Sequence, residues 1–292
     1  MILRDTNIRR ALRDRQRGFL MNPFRFGGGA PAPSSTSLAD WFTAAQRGFA
    51  YEFWNKATLF QDTAGTTAVT TSGQAIARAN DISGNAHHLT QATASLRPAY
   101  TESGGLSWGD FAADYLSVAA STATLKWIHS ATTFGFAALV RCGTAADPNA
   151  AYIIVGNSGA TAISHGFSIF YDDRASVSYS NAFRADVSRG DGSGQFLFNW
   201  TLQNAITPNT DKIIYVNRLA NSLDGYVENV FSVTDTPISG TPSTSNASYD
   251  LQVGASNGIL PFVGRIYGLI LREGSFSLAE RDSLQAFFAT KR

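Results

Sequence analysis

The chain has 292 residues; 44% are apolar and only 15% are charged, against about a quarter charged in an ordinary soluble domain. Formal net charge is +1, but residues 1–29 hold seven Arg against two Asp and the remainder is mildly acidic, which describes a basic arm on an acidic body. The single cysteine, Cys142, excludes an intramolecular disulfide, no stretch reaches the ~20 apolar residues of a membrane-spanning helix, and residues 1–20 lack the apolar centre of a secretory signal.

Residues 1–21 read as a short basic segment that Thr6 caps, with Ile8 and Leu12 on one thin apolar face, a marginal helix on its own. Residues 22–35 then carry three glycines, alternating prolines and serines, which is linker chemistry. Phe24 and Phe26 interrupt it at strand spacing. A plain tether has no use for two such rings, whereas an arm that orders on a partner does. Ser37 caps a short helix in which Leu38, Trp41, Phe42 and Ala45 share a face and Gly48 supplies the stop.

From there the text is strands and turns. Apolar or alternating runs occur at 49–54, 65–71, 115–118, 133–140, 152–155, 166–171, 176–180, 196–200, 212–217, 223–230, 251–253 and 262–271. Gly156-Asn157-Ser158-Gly159, Asp191-Gly192-Ser193-Gly194 and Asn257-Gly258 separate them. Many short strands at such spacing predict a sandwich or barrel. Ser277 and Glu280 form a capping box for a last helix whose apolar face is Leu284, Phe287 and Phe288. The expected organisation is an arm and linker over residues 1–36 and one β-domain over residues 37–292.

Four stretches carry a resemblance. They are residues 59–70, LFQDTAGTTAVT; residues 81–93, DISGNAHHLTQAT, followed by Arg97-Pro98; residues 109–116, GDFAADYL; and residues 251–254 and 262–271, LQVG and FVGRIYGLIL, followed by Leu278-Ala279-Glu280-Arg281. In this order the chain resembles the concanavalin-A-like, laminin-G-type domains of tailed bacteriophages, prophages and gene transfer agents, over residues 48–292. The resemblance implies an all-β jelly-roll sandwich of two antiparallel sheets, and a virion protein of a tail, baseplate or head spike. Ala113 stands where the family pattern has an acidic residue, which removes an oxygen donor from any inherited cation role at that turn.

The chemistry of the residues points away from catalysis. Glycoside hydrolysis needs two carboxyls flanking one bond, and the five Glu (52, 102, 228, 273, 280) share no strand at a suitable spacing. Asp172 and Asp173 are adjacent and so face opposite sides of a strand. His87 and His88 diverge in the same way and lack zinc partners. Asp81, Asn85 and Asp114 are the candidate calcium donors; oxygen donors in turns serve either a cation or a local Asx turn, and we favour the turn. No other cofactor is expected. Sugar binding requires an aromatic face beside planar polar groups, for which Tyr171, Asp172, Asp173, Arg174 and Tyr179 are the candidates. Trp108, Trp127 and Trp200 are read mainly as core, and Cys142 as a buried thiol.

The expected function is that of a non-enzymatic virion protein. Arg9, Arg10, Arg13, Arg17, Phe24 and Phe26 dock it onto an acidic face of other virion proteins, in preference to nucleic acid. It is expected to act as a homo-oligomer within the particle, with no membrane insertion, after synthesis in a bacterial cytoplasm. The sandwich displays a lectin-like surface to host polysaccharide. The alternative is a purely architectural decoration protein without glycan binding; polysaccharide depolymerase activity comes third.

Overall fold

The computed structural model describes residues 35–130, 133–143, 151–158, 165–174, 181–188, 196–200, 206–220, 222–234 and 243–292. Arg9, Arg10, Arg13, Arg17, Phe24, Phe26 and Tyr179 lie outside them, as do the expected strand at 176–180 and the turn at 191–194. Residues Ser35–Arg292 cluster as one unit.

The chain enters through a single 3-10 turn, Leu38–Trp41, capped reciprocally by Ser37 and Asp40, and buries Leu38 and Trp41. Then follow β1 (Gly48–Glu52), β2 (Leu59–Phe60), β3 (Arg78–Ala79), β4 (Leu89–Thr90), β5 (Ala99–Ser103), β6 (Leu106–Ala112) and β7 (Leu116–Ser117). After the one-turn helix α1 (Trp127–Ser130) come β8 (Phe134–Cys142), β9 (Ala151–Gly156), β10 (Phe167–Asp172), β11 (Ala182–Ser188) and β12 (Phe196–Trp200). The chain closes with β13 (Asp211–Leu219), β14 (Ser222–Val227), β15 (Val230–Thr234), β16 (Gln252–Val253), β17 (Val263–Glu273) and helix α2 (Leu278–Ala289).

These strands form two sheets. Sheet I has the order β15-β14-β13-β8-β17-β6-β5, with β1 also paired to β17; sheet II has the order β12-β11-β10-β9-β16-β7-β4-β3-β2. Every pairing between these named strands is antiparallel. The expected two-sheet antiparallel sandwich, with short helices before and after it, is the observed fold of the described residues.

Strand parity sets the layers. Phe134, Phe136, Ala138, Val140 and Cys142 of β8 point between the sheets, where they meet Ile154, Phe167, Ile169, Tyr171 and Val187 from sheet II. Burial pushes the Cys142 thiol up, well away from the reactive range. The alternate residues Ala137 and Leu139 point outward and are buried too, against Leu284, Phe287 and Phe288 of α2 and Leu38 and Trp41 of the 3-10 turn. Sheet I is therefore covered on both faces, which is why β8 and β17 read as continuous apolar runs rather than alternating ones.

Strand β17 joins the layers. It pairs with β8 along one side and is shared on the other by β6 at its start and β1 at its end. The changeover coincides with a bulge between Ile266 and Gly268. A side chain at Gly268 would overlap the Trp54 ring, so the bare backbone there is what lets that indole lie across the strand. Arg272, near the end of β17, donates to the Trp41 carbonyl at 2.8 Å and pairs with Glu280. Glu280 also accepts from the Ser277 backbone at 2.8 Å, so one carboxylate caps α2 and ties it to the sheet.

At one end of the sandwich, Arg218 is buried between the sheets and donates to the carbonyls of Ile128 and His129 at 2.9 and 2.7 Å. These are orphan carbonyls of the short α1. Burial lowers the Arg218 pKa to about 10. His129 is fully buried, shares a 2.9 Å hydrogen bond with the Ser245 carbonyl, and has its pKa lowered to about 4 by burial.

Two predictions follow from this packing. Replacing Glu280 with Ala leaves the Arg272 guanidinium buried without its counter-charge and removes the capping box, so equilibrium urea unfolding is expected to show a loss of about 2–4 kcal/mol, partly restored in Glu280→Gln. The second concerns pH. Burial lowers the pKa of His129, His87 and His88, so the unfolded chain takes up their protons first. The stability they contribute is complete above the unfolded value of ~6.5 and is lost as pH falls from there toward 4. For His129 alone this amounts to about 3 kcal/mol. Asp186, pushed up to about 6, acts with the opposite sign over the same interval, so the variant comparison is what isolates the histidine. The urea midpoint of His129→Gln should fall less than that of the wild type between pH 7 and pH 4.5; parallel falls would refute the assignment.

Candidate functional site

Sheet II presents a different outer face from sheet I. Its outward apolar cluster is small: Ala151 and Ile153 of β9 and Phe170 of β10, with Leu260 against them. Beside it the outward positions of two adjacent strands are polar. On β10 these are Ser168 and Asp172; on β11 they are Arg184, Asp186 and Ser188. Register places Ser168 opposite Asp186, Phe170 opposite Arg184 and Asp172 opposite Ala182.

The charges on this face are organised in two clamps. Arg174, two residues beyond Asp172, folds back so that its backbone N–H and Nε donate to Oδ1 at 3.2 and 2.9 Å, and Nη2 donates to Oδ2 at 2.5 Å. Arg184 donates from Nη2 to Asp186 Oδ2 at 2.5 Å, and its guanidinium lies over the Phe170 ring, 4.1 Å from the centroid. The carboxylates lie beneath the guanidinium groups. The Asp172 side chain is 0% exposed against 33% for Arg174, and that of Asp186 is 12% against 21% for Arg184. Burial pushes the Asp186 carboxyl up to about 6, with Arg184 pulling against it and Asp172 adding repulsion. Its Oδ1 is buried without a hydrogen-bond partner, and the Ser158 and Ser168 hydroxyls, 2.6 Å apart, lie along the same row. On β12, Phe196, Phe198 and Trp200 occupy the register positions opposite Ser188, Asp186 and Arg184.

The sequence-predicted sugar residues separate here. Asp172 and Arg174 belong to the outer face. Tyr171 does not: it is 1% exposed, faces Tyr152 in a stacked arrangement at 6.4 Å, and donates its hydroxyl to Asn181 at 2.7 Å. Strand neighbours point to opposite faces, so an outward Asp172 puts Tyr171 in the core, where it offers no platform. Asp173 follows the strand end and is partly exposed. Arg184, Asp186 and Phe170 were missed. The signal for them is the alternation from Phe183 to Val187, in which Phe183, Ala185 and Val187 enter the core and the two charged residues do not.

Asp172 and Asp186 are two carboxylates on one face, but the register sets them four residues apart, about 13 Å along the strands. Each is committed to a guanidinium. Trp108 and Trp127 are buried, with Arg265 and Arg47 lying over their rings at 4.0 and 5.0 Å.

The candidate calcium donors do not converge. Asp81 Oδ1 accepts from the backbones of Ala50 and Ser83 at 3.0 and 2.9 Å, and Oδ2 from the Ser83 hydroxyl and the His87 backbone, both at 2.9 Å. Four donors from the chain itself occupy the carboxylate, which makes it the anchor of an Asx turn rather than a cation ligand. Asn85 turns its amide nitrogen inward to the Gln46 and Gly48 carbonyls at 3.1 and 3.0 Å. Asp114 accepts from the Ala112 backbone at 3.1 Å, in a different turn, and burial raises its pKa. The histidines serve the Asp81 turn: His88 Nδ1 accepts the Asp81 N–H at 3.1 Å. Among the described residues no group of three or more His, Cys, Asp or Glu side chains is placed to hold a metal, and none of the helices there is long and apolar enough to cross a membrane.

No protein-family model matches the chain, and no curated protein matches it in sequence. Solved structures do. The binding domain of Paraclostridial Mosquitocidal Protein 1 aligns with a TM-score of 0.51 at 12% identity, over 74% of this chain and 51% of that one. Domain 4 of AbnA, a GH43 extracellular arabinanase from Geobacillus stearothermophilus, in complex with arabinotriose, gives 0.49 at 14% identity over 82% and 98%. The Ruminococcus gnavus IT-sialidase CBM40 gives 0.43 at 13% over 61% and 90%. The chain spans only 27% of the NanB chain solved with Optactamide. At these identities the likeness is one of fold, and the mosquitocidal binding domain carries it: the chain has the two-sheet antiparallel sandwich.

Proposed function

We propose that this chain is a non-enzymatic display protein whose sandwich binds carbohydrate on the outer face of sheet II. The observation that supports this most directly is the pair of clamped guanidinium groups. Arg184 is laid over Phe170 and held by Asp186; Arg174 is held by Asp172. Sugar sites need a few polar groups fixed in direction beside apolar surface, and here the fixing is done before any ligand arrives, which lowers the ordering cost of binding. The opposite face of the sandwich is occupied by α2.

The wider setting we propose is a virion of a tailed bacteriophage or a related particle. Residues 1–36 dock onto an acidic partner through Arg9, Arg10, Arg13, Arg17, Phe24 and Phe26, and copies of the chain assemble together there. The support is the asymmetric charge and the family resemblance of residues 48–292. A purely architectural role is the second reading, favoured by the burial of Ile153, Ser168 and Phe170 on the same face.

Two experiments test these proposals. The double variant Arg184→Gln/Asp186→Asn keeps a hydrogen-bonded pair without burying a lone charge, so its Tm should stay within a few degrees of wild type while binding to host-cell polysaccharide falls at least tenfold. Unchanged binding would remove the face from consideration, and absence of glycan binding by the wild type would favour the architectural role. Deleting residues 1–36 should leave a folded domain that no longer joins the particle; normal incorporation would sink the docking role.

A further inference from the structure

We propose that the carbohydrate recognised on this face is acidic, a polysaccharide whose sugars carry carboxylates. The inference rests on the carbohydrate reading above and adds the ligand's chemistry. Its basis is which end of each clamp reaches solvent. Arg174 exposes a third of its side chain while Asp172 exposes none, and Arg184 is likewise the more exposed member of its pair. A guanidinium group has donors and no acceptor. The polar surface that the two clamps offer is thus nearly all donor.

A sugar hydroxyl is both donor and acceptor, and on such a surface its own proton goes unmet. A carboxylate is acceptor-only and matches the surface without remainder. It also matches in shape, because the planar fork of a guanidinium group pairs two parallel N–H groups with two oxygens. Arg174 spends its Nε edge and Nη2 on Asp172, and among the described residues its Nη1 makes no hydrogen bond. Arg184 sits on the next strand at the Phe170 register, two residues from the Asp172 pairing. That sets the two positions about 7 Å apart along the strands, within the span of neighbouring sugars. Asp172 holds the Arg174 guanidinium at the solvent edge, and Arg184, laid over Phe170 beside Asp186, is the more exposed member of its pair.

The test uses matched polymers: polygalacturonate, polymannuronate and polysialic acid, each beside its carboxyl-reduced form, with dextran sulfate as a polyanion control. Binding to the full-length chain is measured by isothermal titration calorimetry at 50 and 300 mM NaCl. The expected result is binding to at least one acidic polymer that drops thirtyfold or more on carboxyl reduction, weakens with salt, and falls at least tenfold in Arg174→Gln and in Arg184→Gln/Asp186→Asn. Equal binding of acidic and reduced forms would overturn the acidic class and leave the carbohydrate reading standing. Dextran sulfate binding as tight as the best carboxylate polymer, and insensitive to the variants, would also overturn it. Failure of every acidic and reduced polymer, together with a panel of neutral glycans, would overturn both.

Discussion

A sandwich of two sheets has two outer faces, and the C-terminal helix can seal only one. The burial of Leu284, Phe287 and Phe288 of α2 against Ala137, Leu139, Ile213 and Ile270 makes the central strands of sheet I an interior layer. Burying side chains of this size is worth roughly 2 kcal/mol each before entropy is counted, and Arg272 and Glu280 fix the helix in place over that layer. Among the described residues no helix lies over the strands β9–β11 of sheet II, yet Ile153, Ser168, Phe170 and Asp172 on that face are buried, and it is Arg174 and Arg184 that reach solvent. The outer surface there is a four-residue apolar cluster and two ion-paired clamps.

The two faces also solve opposite electrostatic problems. On sheet I, Arg141 and Asp211 form a bidentate pair near the surface that also receives the Tyr267 hydroxyl at 2.8 Å. All the acceptor demand there is met. On sheet II one carboxylate oxygen of Asp186 is left without a partner and burial raises its pKa to about 6. A buried carboxylate short of donors is expensive, and a purely architectural face would gain by an apolar pair of similar volume. Holding two guanidinium groups at fixed angles is what such an arrangement achieves that an apolar one does not.

Much of the fold was legible because its strands are long and apolar. Runs at 133–140, 196–200, 212–217 and 262–271 fell on β8, β12, β13 and β17, and the Ser277–Glu280 box marked α2 within a residue. What escaped has physical reasons. Strands β2, β3 and β4 are two residues each, too short to show any period. Strand β11 carries Arg184 and Asp186 outward, and charged residues break the apolar run that reveals a core strand. The hairpin of β5 and β6 turns through Gly104-Gly105, both at positive φ, a turn signal that the sequence reading passed over. The candidate site was half visible for the same reason. Asp172 and Arg174 stood out as a dense polar group at a strand end, but Tyr171 was grouped with them although strand parity assigns it to the core. The polar partners on β11 lay in a strand that had not been recognised.

The division of labour within Asp172–Arg174 and Asp186–Arg184 bears on why this face need not be catalytic. A hydrolytic pair requires carboxyls that reach the same bond from a few ångströms away, one of them free to give up or take a proton. Here each carboxylate is neutralised in place by its own guanidinium, and the pairing register spreads them along two strands. Freeing Asp172 for proton transfer would strip Arg174 of all three hydrogen bonds that orient it. The contacts that orient the two guanidinium groups therefore also hold both carboxylates in ion pairs.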